Sequence, residues 1–163
     1  MTSTAFGGTP VALSGDLPTV GSAAPAFTLT APDLSDLERT DGRRTVLNIF
    51  PSVDTGVCAA SVRKFNELAA GLDETDVINV SVDLPFAMAR FCGAEGIENA
   101  KVGSAFRSSF GQDYGVTLAE GAFSGLLARL VVVLDRDGSV LHSALVPEIG
   151  QEPDYDSAVA SLS

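Results

Sequence analysis

Thr45-Val46-Leu47-Asn48-Ile49-Phe50-Pro51, the stretch from Val57 to Leu72, and Val77-Ile78-Asn79-Val80-Ser81-Val82 together set the architecture of this chain. The first run is rich in β-branched and large apolar residues and is closed by a proline. It reads as a strand buried on both faces, the pattern of parallel pairing. From Val57 the period changes: Cys58, Val62, Phe65, Ala69 and Leu72 are spaced four, three, four and three apart, which puts them on one stripe of a helix. Gly71 weakens that helix near its end. The third run reads as a second buried strand. Strand, helix and strand at this spacing form a unit in which the helix is a right-handed crossover between parallel neighbours.

Working outward, a shorter helix follows, with Asp83 as its cap, Pro85 in its first turn and Gly93 just past its end. Cys92 then falls at or near the last turn. Leu130 to Leu134, the turn Asp135-Arg136-Asp137-Gly138 and Val140 to Val146 form an antiparallel hairpin. Pro153 opens a final helix whose face is Tyr155, Ala158, Val159 and Leu162. Upstream, Phe27-Thr28-Leu29 reads as a short strand. Val11-Ala12-Leu13 and Leu17 to Val20, joined through Ser14-Gly15-Asp16, predict a β-hairpin within residues 1–20, with Pro18 confining its second arm to an edge. The order β-α-β-α-β-β-α is that of an α/β protein with a mixed central sheet flanked by helices. Without linker, repeat or low-complexity tract, residues 1–163 read as one domain.

Composition narrows the function. Of 163 residues 45% are hydrophobic, enough to fill one core, and 10 Lys+Arg against 21 Asp+Glu leave a net charge of −11. That balance argues against nucleic acid and against anionic membrane surfaces as partners. The longest apolar run, Leu130 to Leu134, falls far short of the roughly 20 residues of a membrane span. Met1 to Ala5 carry neither a cationic start nor an apolar core, so no secretory signal is visible and a reducing cytoplasm is the expected compartment. The two cysteines, Cys58 and Cys92, lie 34 positions apart, which excludes a CxxC element. With the single histidine, His142, they give too few soft ligands for a closed metal site, so neither metal nor other cofactor is expected. His142 reads as a structural residue on its strand. Permanent disulfides are uncommon in a reducing compartment. Two inert buried thiols, or a pair cycling between thiol and disulfide, remain.

Cys58 stands in the first turn of the long helix, where unpaired backbone N–H groups and the positive end of the dipole favour thiolate. It is equally the first core residue of its stripe. Thr55 suits an N-cap, and Arg129 suits an edge-strand arginine reaching solvent. Cys92 suits a small packed hydrophobe, and Pro51 merely ends a strand.

Pro51-x-x-x-Thr55-x-x-Cys58, with a distant arginine, matches the active-site signature of the peroxiredoxins. The longer segments Val46 to Asn66, Asp83 to Ala87, Arg90 to Gly96 and Ala128 to Val133 resemble the bacterial thiol peroxidase subfamily, as do Asp33 to Asp36 and Glu152 to Tyr155. The likeness covers nearly the whole chain. Leu37 to Arg44 fits it less well and reads as a charged surface connection. The resemblance implies a thioredoxin-like fold and reduction of hydrogen peroxide and organic hydroperoxides, in antioxidant defence. It makes Cys58 the peroxidatic nucleophile and Cys92 the resolving cysteine, joined in an intrachain disulfide that thioredoxin reduces, and it suggests a homodimer. Ionisation alone is too small an effect for such an enzyme. Lowering a thiol pKa from about 8.5 to about 6 raises thiolate at pH 7 from about 3% to about 90%, little more than 2 kcal/mol of barrier. The remainder requires donors that orient the peroxide and hold charge on the leaving oxygen. Thr55 Oγ1 and the Arg129 guanidinium are the candidates, with Pro51 shielding the thiolate and Phe86 a candidate apolar edge. Forming the disulfide needs Cα atoms within about 7 Å, so local unwinding around both cysteines is expected. A thiol–disulfide exchange protein, disfavoured by the missing CxxC, and a redox-switched binding protein are the alternatives.

Overall fold

The computed structural model describes residues 2–162. In chain order the elements begin with strands Ser3–Phe6 (β1), Thr9–Ala12 (β2), Leu29–Thr30 (β3), Asp36–Leu37 (β4) and Arg44–Ile49 (β5). Helix Gly56–Ala69 (α1), strand Thr75–Ser81 (β6), helix Pro85–Glu95 (α2), strand Lys101–Ser104 (β7) and the short helix Phe110–Asp113 (α3) follow. Strands Leu130–Leu134 (β8) and Val140–Leu145 (β9) and helix Tyr155–Ala160 (α4) complete the series.

The main sheet has the order β4-β3-β7-β6-β5-β8-β9. β5, β6 and β7 run parallel, joined by α1 and α2 as crossovers, and β8 closes antiparallel on β5. Because side chains alternate along each strand, the central strands supply two separate cores. Val46, Val77, Val131 and Val133 pack with Phe65 of α1 and Ala158 of α4. Leu47, Ile49, Ile78, Val80, Leu130 and Val132 pack on the other face with Phe110, Tyr114 and the N-terminal residues Val11 and Leu13. Tyr155 stands edge-on to Phe65 with ring centroids 5.1 Å apart, which docks the final helix against α1.

The mixed sheet and its flanking helices agree with the expectation from sequence. The N-terminal hairpin is present, but its turn is Gly7-Gly8 and not Gly15-Asp16. Both turn glycines have positive φ, 58° and 84°, the backbone that two-residue hairpin turns demand. Their N–H groups donate to the Glu148 carboxylate at 2.8 and 3.1 Å. Gly15 and Asp16 instead pack against Gly115, where a side chain would collide with the Asp16 backbone. Leu17 to Val20 consequently form no strand. Strand β7 was not expected, since it is short and contains a glycine. Gly103 is needed there, because a Cβ would stand 2.9 Å from Leu29 Cδ1 of the neighbouring strand. Helix α2 is capped by Leu84, not Asp83, and runs through Gly93 to Gly96, whose φ of 67° ends it. Among the described residues no helix is long and apolar enough to cross a membrane.

Candidate active site

β5 hands its last hydrogen bond to Phe50, whose N–H donates to the Val80 carbonyl at 3.0 Å. Pro51, buried and lacking an N–H, then breaks the ladder. The loop from Pro51 to Thr55 folds on itself, with the Thr55 N–H and Oγ1 both donating to the Ser52 carbonyl, at 3.3 and 3.2 Å. Thr55 occupies the N-cap position of α1 with extended backbone, yet its side chain makes no capping bond. Its hydroxyl oxygen therefore keeps lone pairs for another partner. Cys58 is the third residue of α1 and is wholly buried.

Arg129 reaches Cys58 through sheet register. Leu130 of β8 pairs with Ile49 of β5, so Arg129, one residue earlier, emerges where β5 gives way to the loop. It is 1% exposed. Its Nη2 donates to Cys58 Sγ at 3.2 Å and its Nε to the Ile149 carbonyl at 3.0 Å. Nη1 is buried and has no hydrogen-bond partner among the described residues. A guanidinium held at two points, one bond directed at sulfur and a third donor uncommitted, can stabilise a sulfur anion and present N–H to a bound oxygen. Arg129 is thus no edge arginine.

Cys92 lies in the last turn of α2, where its carbonyl accepts from the N–H groups of Gly96 and Ile97. It is half-buried at the margin of the cluster formed by Phe50, Val53, Cys58, Val62, Phe91 and Ile97. Burial pushes its thiol above the ordinary value. Both cysteines are free thiols. Two surface ion pairs reach across from α2, Arg63–Glu95 at 3.4 Å to α1 and Arg90–Asp54 at 2.8 Å to the loop before α1. Exposed pairs of this kind contribute about 0–1 kcal/mol each. An open groove of about 260 Å³ lies between the helices, lined by Val53, Thr55, Gly56, Arg90 and Phe91 among others. Phe86, 68% exposed, is not among its lining residues, so it forms no edge of that groove.

The structure therefore sets Arg129 on Cys58 in the first turn of α1, the helix that the Pro51–Thr55 loop enters, with Cys92 at the edge of the apolar cluster that holds Cys58. His142 lies apart on β9 opposite Val133; burial holds its imidazole below the ordinary value, against the opposing charge of Asp154. No group of three or more His, Cys, Asp or Glu side chains among the described residues is arranged to hold a metal. Two features were missed from sequence. The Asp83 carboxylate accepts from the Ser52 hydroxyl and the Val53 N–H rather than capping α2. Asn48 and Asn79, paired across β5 and β6, form a buried chain in which Asn48 Nδ2 donates to both Ser61 Oγ and Asn79 Oδ1. Ser61 Oγ in turn donates to the Cys58 carbonyl at 2.8 Å. The signal for that chain was available: one asparagine stands in the middle of each buried strand.

The redoxin family model matches residues 19–159. The chain is 54% identical to a thiol peroxidase of Corynebacterium glutamicum, with 100% of both chains covered. It is 59% identical to a thiol peroxidase of Mycobacterium tuberculosis, covering 91% of this chain and 90% of that one. A crystal structure of a peroxiredoxin-like protein from Aquifex aeolicus superposes with a TM-score of 0.95 at 40% identity, covering 99% of this chain and 96% of the other. The chain belongs to the redoxin family and, within it, to the thiol peroxidase subfamily of the peroxiredoxins, oxidoreductases of the peroxidase class.

Proposed function

We propose that this peroxidase reduces hydrogen peroxide and organic hydroperoxides with Cys58 as nucleophile and Cys92 as resolving thiol. The Cys58 thiolate attacks one oxygen of ROOH; the S–O bond forms as the O–O bond breaks, and ROH leaves after taking a proton. Cys58 is then a sulfenic acid, oxidised by two electrons. Cys92 sulfur attacks the Cys58 sulfur and water departs, carrying the sulfenic oxygen and both remaining protons. The resulting disulfide is reduced by the dithiol of thioredoxin through a mixed disulfide. Arg129 donates to the sulfur with Nη2 and offers Nη1 to the leaving oxygen. Thr55 Oγ1 accepts the peroxide hydrogen, and Pro51 keeps water from the sulfur. The same reading gives a single peroxiredoxin domain, a homodimer with each site inside one chain, and a reducing cytoplasm as the working compartment.

The observation that carries this reading is the 3.2 Å bond from Arg129 Nη2 to Cys58 Sγ in a fully buried setting. The test is peroxide consumption with thioredoxin and its reductase. Cys58→Ser is expected to lose all activity. Cys92→Ser is expected to lose thioredoxin-coupled turnover while still consuming one equivalent of peroxide. Sustained turnover by Cys58→Ser, or reduction of disulfide substrates without peroxide consumption by the native protein, would overturn it.

A further inference from the structure

We propose that Asp83 is a positioning residue for the peroxide-reducing step, acting on Cys58 through the Pro51–Thr55 loop; this rests on Cys58 being the peroxidatic nucleophile. Three donors converge on its carboxylate. Ser52 Oγ reaches Oδ1 at 2.7 Å, and the Val53 N–H and Ser81 Oγ reach Oδ2 at 2.8 and 2.5 Å. Asp83 is itself fixed from behind. Its N–H donates to Ser81 Oγ at 3.2 Å, and its carbonyl accepts from Ser104 Oγ at the end of β7. The carboxylate thus ties the loop of Pro51 and Thr55 to the end of β6, while the Asp83 backbone carbonyl holds the end of β7.

The loop needs such a tether. Its α1 end is held by the Ala59 N–H donating to the Thr55 carbonyl at 2.9 Å, but Ser52 and Val53 make no helix or ladder bond, and the internal bonds onto the Ser52 carbonyl are long, at 3.2 and 3.3 Å. Bonds to a carboxylate are the stronger kind. A reacting group displaced by about 1 Å can lose on the order of a hundredfold in rate, so the anchor of Ser52 and Val53 governs where Thr55 and the first turn of α1 stand. Asp83 touches none of the reacting atoms assigned above.

The test isolates the first step in a Cys92→Ser background. The second-order rate of Cys58 oxidation by hydrogen peroxide is measured by quenched flow, trapping the sulfenic acid with dimedone and reading its mass. Adding Asp83→Ala is expected to slow oxidation at least tenfold. Asp83→Asn is expected to stay within threefold of the parent, because its amide oxygen still accepts from Val53 N–H and its NH₂ can donate to Ser52 Oγ. The control is Asp76→Ala, which removes the ion pairs to Arg43 and Lys101 at the far end of β6; it is expected to leave the rate unchanged. Oxidation of Asp83→Ala within threefold of the parent, or equal slowing by Asp76→Ala, overturns the proposal. Should Asp83→Ala fail to fold, Ser52→Ala removes one of the donors and is expected to slow oxidation at least threefold; an unchanged rate there overturns it too. A parent that peroxide leaves unoxidised at Cys58 refutes the peroxidatic reading itself, whereas an oxidised parent beside an unaffected variant refutes only the role of Asp83.

Discussion

Cys58 and Cys92 belong to one apolar cluster, yet their surroundings differ in almost every respect that governs sulfur chemistry. Cys58 opens a helix, at the positive end of its dipole, and receives a hydrogen bond from a buried guanidinium brought from 71 residues away. Cys92 closes a helix, at the negative end, and is half-buried at the margin of the apolar cluster, where burial raises its thiol above the ordinary value. The same side chain is thus directed toward two chemistries by what surrounds it. The first is held ready by charge and geometry; the second stays a neutral thiol until something changes its environment.

The most direct way to break that contrast is to remove the cation. Arg129→Met fills similar volume with an apolar, unbranched side chain. It is expected to slow Cys58 oxidation by about 10²–10³-fold, the range seen when one preorganised donor is taken from a developing anion. Arg129→Lys is expected to recover only part of the loss, because a point ammonium cannot serve both Ile149 and Sγ from one rigid fork. The check is the dimedone-trapped oxidation rate for each variant. An unchanged rate in Arg129→Met would mean that the two sulfurs differ for some other reason.

Much of this contrast was written locally and some of it was not. The strand over Arg44–Ile49, the helix over Gly56–Ala69 and the strand over Thr75–Ser81 were legible because burial on both faces and a 3.6-residue stripe leave long, unambiguous patterns. Strand β7 was not, since four residues with a glycine carry no period, and Gly103 is dictated by the nearness of Leu29. The hairpin turn was misplaced because two glycine-containing turns competed. Only tertiary contacts, Glu148 on one and Gly115 on the other, decide between them. Pro51, Thr55 and Cys58 stood out only through their match to the peroxiredoxin signature, since their positions alone suit a strand end, a cap and a core residue. That Arg129 meets Cys58 depends on the β5–β8 register, which composition and periodicity leave open; the family resemblance pointed to it as well. Asp83 looked like a helix cap because aspartate is a favoured N-cap residue and Pro85 suits a first turn. The cap position falls one residue later, and its carboxylate is spent on the preceding loop.

Thr55 sharpens the contrast from the other side, since it separates a helix cap from a substrate ligand. A working cap hydroxyl typically contributes about 1 kcal/mol to stability. Here the hydroxyl donates to Ser52 and makes no bond to the helix N–H groups. Thr55→Val is therefore expected to shift the melting temperature little while slowing Cys58 oxidation about tenfold, on the low side of a single well-placed hydrogen-bonding group. A large loss of stability with an unchanged rate would return Thr55 to a purely structural role.

The smallest effect belongs to Cys92, and its sign follows from burial. Desolvation disfavours the thiolate, so the folded-state value lies above that of the unfolded chain, near 8.5 for an ordinary thiol. In a Cys58→Ser background, iodoacetamide labelling of Cys92 should be slow at neutral pH and rise only above that ordinary value. In urea the profile should return to it. Stability follows the same proton. The folded state binds it more tightly, so this contribution is complete below the ordinary value and is lost as pH rises through the folded one. Thermal melting should therefore weaken on the alkaline side more in the Cys92-containing protein than in Cys92→Ser. Identical labelling profiles in folded and unfolded protein would show that burial does not restrain this sulfur. The two cysteines would then differ in the helix end they occupy and in the cation that one has and the other lacks.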